Sequence, residues 1–278
     1  MTSATRGQII PLFLTVVAFF GLSLALYAFI HILNLFPTQT KIITQIRPVD
    51  VLVGMTIYLK TSIDFAIFIG NLMRKNTGLK KRIAIEFGTA AGNALGTLSI
   101  LAVWFFLKGA PVALLVMIVI ASLVLFRMAQ ESFEEFLHKG TFLQFHKSVS
   151  FLNQQVKIIN KVSKPFINFI IPNLSLISVK KMSFFPLLFF SFTIPFILGL
   201  DDFAGYVPLF SIVNVFSFSI GVFLGHMLLN IGLFIMPKKT TSLVENPAIL
   251  LLGGLAFVGI ASWGFYEAFK ILLSLLGF

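Results

Sequence analysis

The hydrophobic run at residues 51–73, VLVGMTIYLKTSIDFAIFIGNLM, carries an aspartate, Asp64, near its middle. A helix needs about 20 apolar residues to cross a bilayer, so the run predicts a membrane-spanning helix. An ionisable group at the centre of such a helix costs roughly 2.5–3.5 kcal/mol on insertion scales, which makes Asp64 a functional-site hypothesis. The same tripeptide, Asp-Phe-Ala, returns at residues 202–204 in a second apolar stretch. We expect the fold to bring Asp64 and Asp202 together.

Composition identifies the class of protein. The chain has 278 residues, of which 58% are hydrophobic and 11% charged, whereas soluble domains carry about 25% charged residues. We therefore predict an all-α integral membrane protein whose first partner is the lipid bilayer. The absence of cysteine excludes disulfides, thiolate metal sites and cysteine nucleophiles. The net charge of +11 lies in connections between apolar runs, which argues against a nucleic-acid partner.

Seven apolar stretches are long enough to span the membrane. The first is too long for the apolar region of a signal peptide and is followed by no small-residue cleavage site. The fifth and sixth could be divided differently around Asp201. The predicted spans cover residues 9–36, 51–73, 83–107, 111–127, 184–209, 210–236 and 248–278.

Positive charge predicts the orientation of these spans. The N-terminus and the second, fourth and sixth connections together carry 16 Lys and Arg, and the other three connections carry 3. Cytoplasmic segments are enriched in Lys and Arg, so we expect a cytoplasmic N-terminus and an external C-terminus. We place this multi-pass protein in an inner membrane of bacterial type.

An internal repeat relates spans two to four to spans five to seven. Four short matches occur in the same order with similar offsets: the two Asp-Phe-Ala tripeptides, two Gly-x-x-x-Gly pairs, two prolines and two Ile-Ala-Ser tripeptides. Because each triplet contains an odd number of spans, the two triplets have opposite orientation. That predicts a 3+3 inverted repeat with one accessory N-terminal helix, an architecture of many secondary transporters. The predicted segments are 1–49 (first helix and loop), 50–127 (first repeat), 128–182 (basic cytoplasmic connection) and 183–278 (second repeat).

Glycines spaced four apart indicate helix faces for close packing, because they remove side chains where two backbones approach. The predicted packing positions are Gly88, Gly92, Gly96, Gly221 and Gly225.

The candidate site collects polar side chains from the spans. Prolines and glycines around the second aspartate predict a broken helix whose free carbonyls can coordinate a cation. Around Asp64, Thr61 and Ser62 can satisfy backbone groups at a local break. Carboxylates with one imidazole and neutral oxygens suit a divalent cation. The predicted ligands are Asp64, Asp202, Asp201, Asn93, His226 and Asn230.

Structural alternatives apply to several of these residues. Lys60 lies four residues before Asp64 and could neutralise it within the helix. Asp201 and Asp202 could instead cap span six from a loop, and His226 could serve helix packing. We also expect Glu86 to pair with Arg82.

Three more expectations concern residues near the ends of spans or in their connections. Glu267 should pair with Lys270, and His138 and His146 should be surface residues. Residues 166–179 fit either an interfacial segment on an anionic leaflet or a solvated linker.

The motifs Thr61-Ser62-Ile63-Asp64 and Gly199-Leu200-Asp201-Asp202 resemble those of the LysE-like superfamily of exporters, most closely its TerC and CadD branches. Residues 253–264, with Gly-Gly-Leu and Trp-Gly, are similar to a helix of TerC-like proteins. The resemblance covers about residues 50–278. It implies export of a metal cation, with Asp64 and Asp202 or Asp201 as ligands. Phe65 departs from the usual acidic or amide residue of the first motif, which leaves the ion's identity open.

These observations favour a secondary transporter that exports a divalent cation. Mn²⁺ is the first candidate, and Cd²⁺, Zn²⁺ and Ca²⁺ are the others. Protons are a plausible counter-ion, since a carboxylate releases its metal on protonation. The alternatives are an exporter of a small organic cation or amino acid, and a membrane assembly protein that does not transport. We predict no enzyme activity, no catalytic residues and no cofactor, and a homodimer is compatible with this interpretation.

Overall fold

The computed structural model describes residues 3–37, 41–140, 142–170, 181–198, 206–211, 213–236, 239–240, 242 and 246–277. Within these residues the regular structure is helical, with no strand. The main α-helices, numbered here in chain order, are α1 (Ser3–Leu33), α2 (Pro48–Thr61), α3 (Ile63–Lys75), α4 (Leu79–Leu107), α5 (Pro111–His138), α6 (Leu143–Ile170), α7 (Phe184–Leu198), α8 (Val215–Ile235) and α9 (Pro247–Leu275). A 3-10 helix covers Val207–Ser211.

Five of the described helices are long and apolar enough to cross a membrane. They are Leu12–Leu33 within α1 and the whole of α4, α5, α8 and α9. An all-α protein with several membrane-spanning helices is therefore supported by length and composition. Length and composition do not establish seven spans or the inverted repeat, which stay predictions.

The predicted second span is divided into two helices. α2 ends at Thr61 and α3 begins at Ile63, with Ser62 at φ −86° and ψ 22° between them. The Thr61 hydroxyl donates to the carbonyls of Ile57 and Tyr58, at 3.1 and 3.2 Å. Such back-bonding by threonine bends helices. The break expected from Thr61 and Ser62 is thus present.

Two other boundaries differ from the sequence-based expectation. α8 begins at Val215 rather than at residue 210, because the Asn214 side chain accepts from the Ser217 backbone N–H and caps the helix. The connection at residues 128–182 is largely helical where it is described, since α5 continues to His138 and is followed by α6. Residues 171–180, which include most of the proposed interfacial segment, lie outside the described residues.

The chain forms two compact units that interleave along the sequence. The first comprises the described residues of Met1–Ala102, Leu174–Leu200 and Val213–Ser242, and the second those of Val103–Asn173, Asp201–Ile212 and Leu243–Phe278. Each unit contains helices from both predicted repeats. The predicted domain boundaries stay a prediction.

In the first unit, α2 and α8 run parallel and touch backbone to backbone. A methyl group added at Gly54 would overlap the carbonyl oxygen of Phe218, and one added at Gly221 would overlap that of Val51. Both helices therefore need glycine at the point of contact. Close packing of this kind stabilises helix association in lipid, because the hydrophobic effect does not favour contact between helices there.

A polar clasp joins the starts of the same two helices. Asp50 accepts a hydrogen bond from the Asn214 backbone N–H at 3.0 Å, and the Asn214 amide donates to the Ile43 carbonyl at 3.1 Å. The Ser217 hydroxyl accepts from the Arg47 backbone N–H at 2.8 Å and donates to the Gln45 carbonyl. Backbone groups just before each helix, including those of both N-cap residues, are thereby satisfied by side chains of the other segment.

α4 and α7 form a second glycine-mediated contact in the first unit. A methyl group at Gly88 would lie 2.6 Å from the Leu188 carbonyl oxygen, and one at Gly92 would overlap the Phe192 carbonyl. Gly96, one turn further along α4, is also buried.

The second unit is built on α5 and α9, which run antiparallel. Phe126 stacks on Phe265 with ring centroids 5.9 Å apart, and Gly254 faces the ring of Phe133. On the far end of α9, Lys270 pairs with Glu267 at 3.3 Å, as predicted.

Beyond its apolar part, α5 carries exposed charged and polar residues. Arg127 pairs with Glu131 at 3.1 Å, and Gln130 donates to Glu134 at 2.8 Å. The helix thus continues beyond its apolar part with glutamates exposed on its surface. Of the two loop histidines, His138 is exposed and His146 is half-buried against Phe136.

We expect the α2–α8 contact to be intolerant of even one methyl group. Gly221→Ala should lower the free energy of unfolding by about 1–3 kcal/mol, because the helices must separate. Gly259→Ala in α9 is the matched control, since nothing lies within 4 Å of the added carbon. Thermal unfolding of both variants in detergent, followed by circular dichroism, makes the measurement. Equal melting temperatures would contradict the backbone contact.

Candidate functional site

A stripe of buried polar side chains runs along one face of α4. It consists of Glu86, Thr89, Asn93 and Thr97, which are exposed by 1%, 0%, 3% and 0%. Their spacing of three or four residues places them on successive turns of one helix face. Polar groups buried at membrane depth must find partners within the protein.

α8 and α1 each supply one hydrogen-bond partner of Glu86. Asn230, fully buried, donates through its amide nitrogen to the Glu86 carboxylate at 3.0 Å. The same amide group lies 3.0 Å from Nε2 of His226, and Thr89 is 3.5 Å from it. From α1, the buried Thr15 also hydrogen bonds to Glu86. One amide thus connects a carboxyl group to an imidazole.

α2 extends this chain of hydrogen bonds. The Tyr58 hydroxyl lies 2.7 Å from Nδ1 of His226, and both residues are buried. His226 therefore has a polar neighbour at each of its two ring nitrogens, Tyr58 at Nδ1 and Asn230 at Nε2. Gly225 makes this approach possible, because a methyl group there would lie 2.9 Å from the Tyr58 ring. We call the connected side chains of Glu86, Asn230, His226 and Tyr58 the polar chain.

The carboxyl group of Glu86 is the most costly member of the polar chain to bury. Its Oε1 atom has no hydrogen-bond partner among the described residues. The expected pair with Arg82 is absent: the Glu86 side chain turns to Asn230 and Thr15, and Arg82 is only half-buried. The prediction was therefore wrong, since the register of α4 directs position 86 towards α8. A carboxyl group inside apolar helices, with no basic partner among the described residues, is a strong indication of function.

Asp64 is the second residue of α3, immediately after the break at Ser62. The start of a helix carries a partial positive charge from its free N–H groups, which favours a carboxylate there. The side chains of Asp64 and Lys60, and the whole of Asp201 and Asp202, lie outside the described part of the structure. Their predicted roles as ligands or as an ion pair stay predictions.

Of the predicted ligands, the structure brings His226 and Asn230 together in the polar chain. Asn93 is buried on α4, and its amide nitrogen has no partner among the described residues. Within the described residues, no group of three or more His, Asp or Glu side chains is placed to hold a metal ion.

The sequence analysis missed Glu86, Tyr58 and Thr15 as members of this site. The spacing of Glu86, Thr89, Asn93 and Thr97 was a usable signal, because polar residues at i, i+3, i+7 and i+11 are rare in a membrane span. Tyr58 and Thr15 carried no comparable pattern, and only packing reveals their partners.

Comparison of the chain with protein-family models, curated protein sequences and solved structures found no match. The resemblance to LysE-like exporters therefore remains an expectation drawn from short motifs.

The hydrogen bond between Tyr58 and His226 should contribute measurably to stability. Hydrogen bonds between membrane helices are worth about 0.6 kcal/mol on average and up to about 1.7 kcal/mol. Tyr58→Phe should lower the free energy of unfolding by an amount in this range. Tyr266→Phe, which removes the hydroxyl of an exposed tyrosine, is the control. The measurement is the thermal unfolding of both variants in detergent. An equal change in melting temperature for the two variants would refute the hydrogen bond.

Proposed function

We propose that this chain is a secondary transporter that exports a divalent metal cation, with Asp64 and Asp202 as its carboxylate ligands. The observation that carries the proposal is the polar chain, which places a carboxyl, an amide, an imidazole and a phenol between apolar helices. Asp201, Asn93, His226 and Asn230 remain the proposed additional ligands.

The energetics favour a functional role for the polar chain. An unpaired ionisable group raises the free energy of inserting a helix into a membrane. For an aspartate at the helix centre the increase is roughly 2.5–3.5 kcal/mol on insertion scales. Glu86 carries this cost without a counter-charge among the described residues. Packing alone would be achieved more cheaply by apolar side chains. Carboxyl and imidazole groups in this setting are typical of ion pathways and proton relays.

The divided helix supports the same function. Transporters commonly bind their cargo at discontinuous helices, where half-helix ends and free carbonyls meet the ion. The α2–α3 interruption lies two residues before Asp64. Tyr58, four residues before the interruption, belongs to the polar chain. Asp64, the proposed ligand, and Tyr58, a member of the polar chain, therefore lie close together in the sequence, on either side of the interruption.

The helix contacts support the proposed inverted repeat. Gly221 on α8 faces Val51 and Met55 of α2, and Gly88 on α4 faces Leu188 and Ser191 of α7. The sequence repeat relates α4 to α8 and α2 to α7. The two Asp-Phe-Ala tripeptides are 138 residues apart. Adding 138 to the positions of Val51 and Met55 gives 189 and 193, which are within two residues of Leu188 and Ser191.

Helix directions support the proposed seven-span topology. α2 and α8 are parallel, α4 and α7 are parallel, and α5 and α9 are antiparallel. If spans two to seven cross the membrane in alternating directions, the same three pairs must be parallel, parallel and antiparallel. The orientation proposed from positive charge, with the N-terminus in the cytoplasm of a bacterial-type cell, is compatible with them. We keep the proton as the proposed counter-ion and a homodimer as the proposed assembly.

Metal tolerance and efflux should depend on both proposed carboxylates. In cells exposed to Mn²⁺, Cd²⁺, Zn²⁺, Co²⁺ or Ca²⁺, we expect one metal to accumulate at least severalfold more with Asp64→Asn, and likewise with Asp202→Asn, than with wild type. Glu86→Gln should also impair efflux, because it removes the ionisable carboxyl group from the polar chain. Glu134→Gln, on the exposed end of α5, is the matched control and should behave as wild type. Growth and cell metal content are read together, at equal membrane expression.

Other outcomes separate the alternatives. If no metal responds although the variants are well expressed, metal export is wrong, and export of an organic cation or amino acid should be tested with Glu86→Gln. If neither carboxylate variant has a phenotype but charge reversal of Lys157 and Lys161 has one, the assembly protein is favoured.

A further inference from the structure

α6 has a second apolar surface that no other described helix covers. Its buried side packs on α5 through Val149, Val156 and Asn160. On the opposite side, Ile158 is 58% exposed and Val162 is 81% exposed. These two residues are four apart and therefore neighbours on one helix face. An exposed apolar pair of this kind, beside a membrane-spanning helix, requires an explanation.

Hydrogen bonds establish the depth of this pair relative to α5. The Asn160 amide donates to the Phe126 carbonyl at 3.1 Å and to the Gln130 side chain at 2.7 Å. The apolar part of α5 ends at Arg127. Asn160, with Ile158 and Val162 two residues to either side, is therefore level with the end of a membrane span, where hydrocarbon meets headgroups.

Lysines border the exposed pair. Lys157 and Lys161 are exposed, lie four residues apart, and each precedes one of the two apolar residues. α6 contains no acidic residue. A helix with apolar residues on one face and lysines beside them binds the interface of a membrane that contains anionic lipid.

We propose that the surface formed by Lys157, Ile158, Lys161 and Val162 binds the headgroup layer of anionic lipids in the leaflet where α5 emerges. Ile158 and Val162 enter the acyl boundary, and the two ammonium groups contact lipid phosphates. Each lysine near an anionic surface favours binding by about fivefold, from about 1 kcal/mol per charge.

A second copy of the chain is a poorer occupant of the same surface. A symmetric contact would place the same patch on both subunits. The lysines of one copy would then face those of the other without acidic partners on α6. Lipid phosphate has the complementary charge.

The absence of natural cysteines allows single spin labels to be placed on the full chain. Val162→Cys reports on the proposed surface. Ser148→Cys, which is exposed on the same helix about 21 Å away at 1.5 Å per residue, is the aqueous control. Val116→Cys, 48% exposed on the apolar part of α5, is the lipid-facing reference. The measurement is the ratio of oxygen to nickel-chelate accessibility in phosphatidylcholine vesicles with and without phosphatidylglycerol.

We expect the ratio at position 162 to lie severalfold above that at 148, towards that at 116, and to rise when phosphatidylglycerol is present. Lys157→Gln with Lys161→Gln in the same chain should remove that rise. Equal ratios at 162 and 148 would overturn the proposal, as would a ratio insensitive to both lipid charge and lysine removal. Spin–spin broadening at 162 that grows with protein density would also overturn it, in favour of a second copy.

Discussion

The contact between the backbones of α2 and α8 is the constraint on which the rest of the first unit depends. Gly54 and Gly221 each lie against a carbonyl of the other helix, and no side chain larger than hydrogen fits there. Because lipid is as apolar as the helix surfaces, the close approach must be stabilised by packing and hydrogen bonds. The Asp50–Asn214 clasp at the helix starts sets the register of the pair.

That register determines where polar groups meet. One turn beyond Gly221, Gly225 admits the ring of Tyr58, which then reaches His226. From His226 the hydrogen bonds continue through Asn230 to Glu86 on α4. The glycine contact and the polar chain are therefore parts of one arrangement. A change in helix spacing would break the hydrogen bonds as well as the packing, which couples any movement of α2 to the environment of Glu86.

The second unit is held together by different contacts. Its α5 helix extends past the apolar region, and α6 packs back along it through Asn160. Here the apolar part of α5 has ended, and lysines and exposed apolar residues share one helix, α6. The two sides of α6 suit two different environments: protein on the buried side and, in the proposed arrangement, lipid headgroups on the exposed side.

The sequence by itself determined the class of protein and much of its helical content. Long apolar runs predicted α4 and α9 closely and the start of α5, because a helix is the simplest structure that satisfies its own backbone in lipid. Proline at the starts of α2, α5 and α9, and threonine with serine before Asp64, carried local information on where helices begin and break. Tertiary structure decided what no local pattern contains. It decided that Glu86 turns to Asn230 rather than to Arg82, that Tyr58 reaches His226, and that α6 leaves Val162 exposed. These outcomes depend on which helix faces meet, and residues 144 or 168 positions apart in the chain become neighbours only when backbones pack.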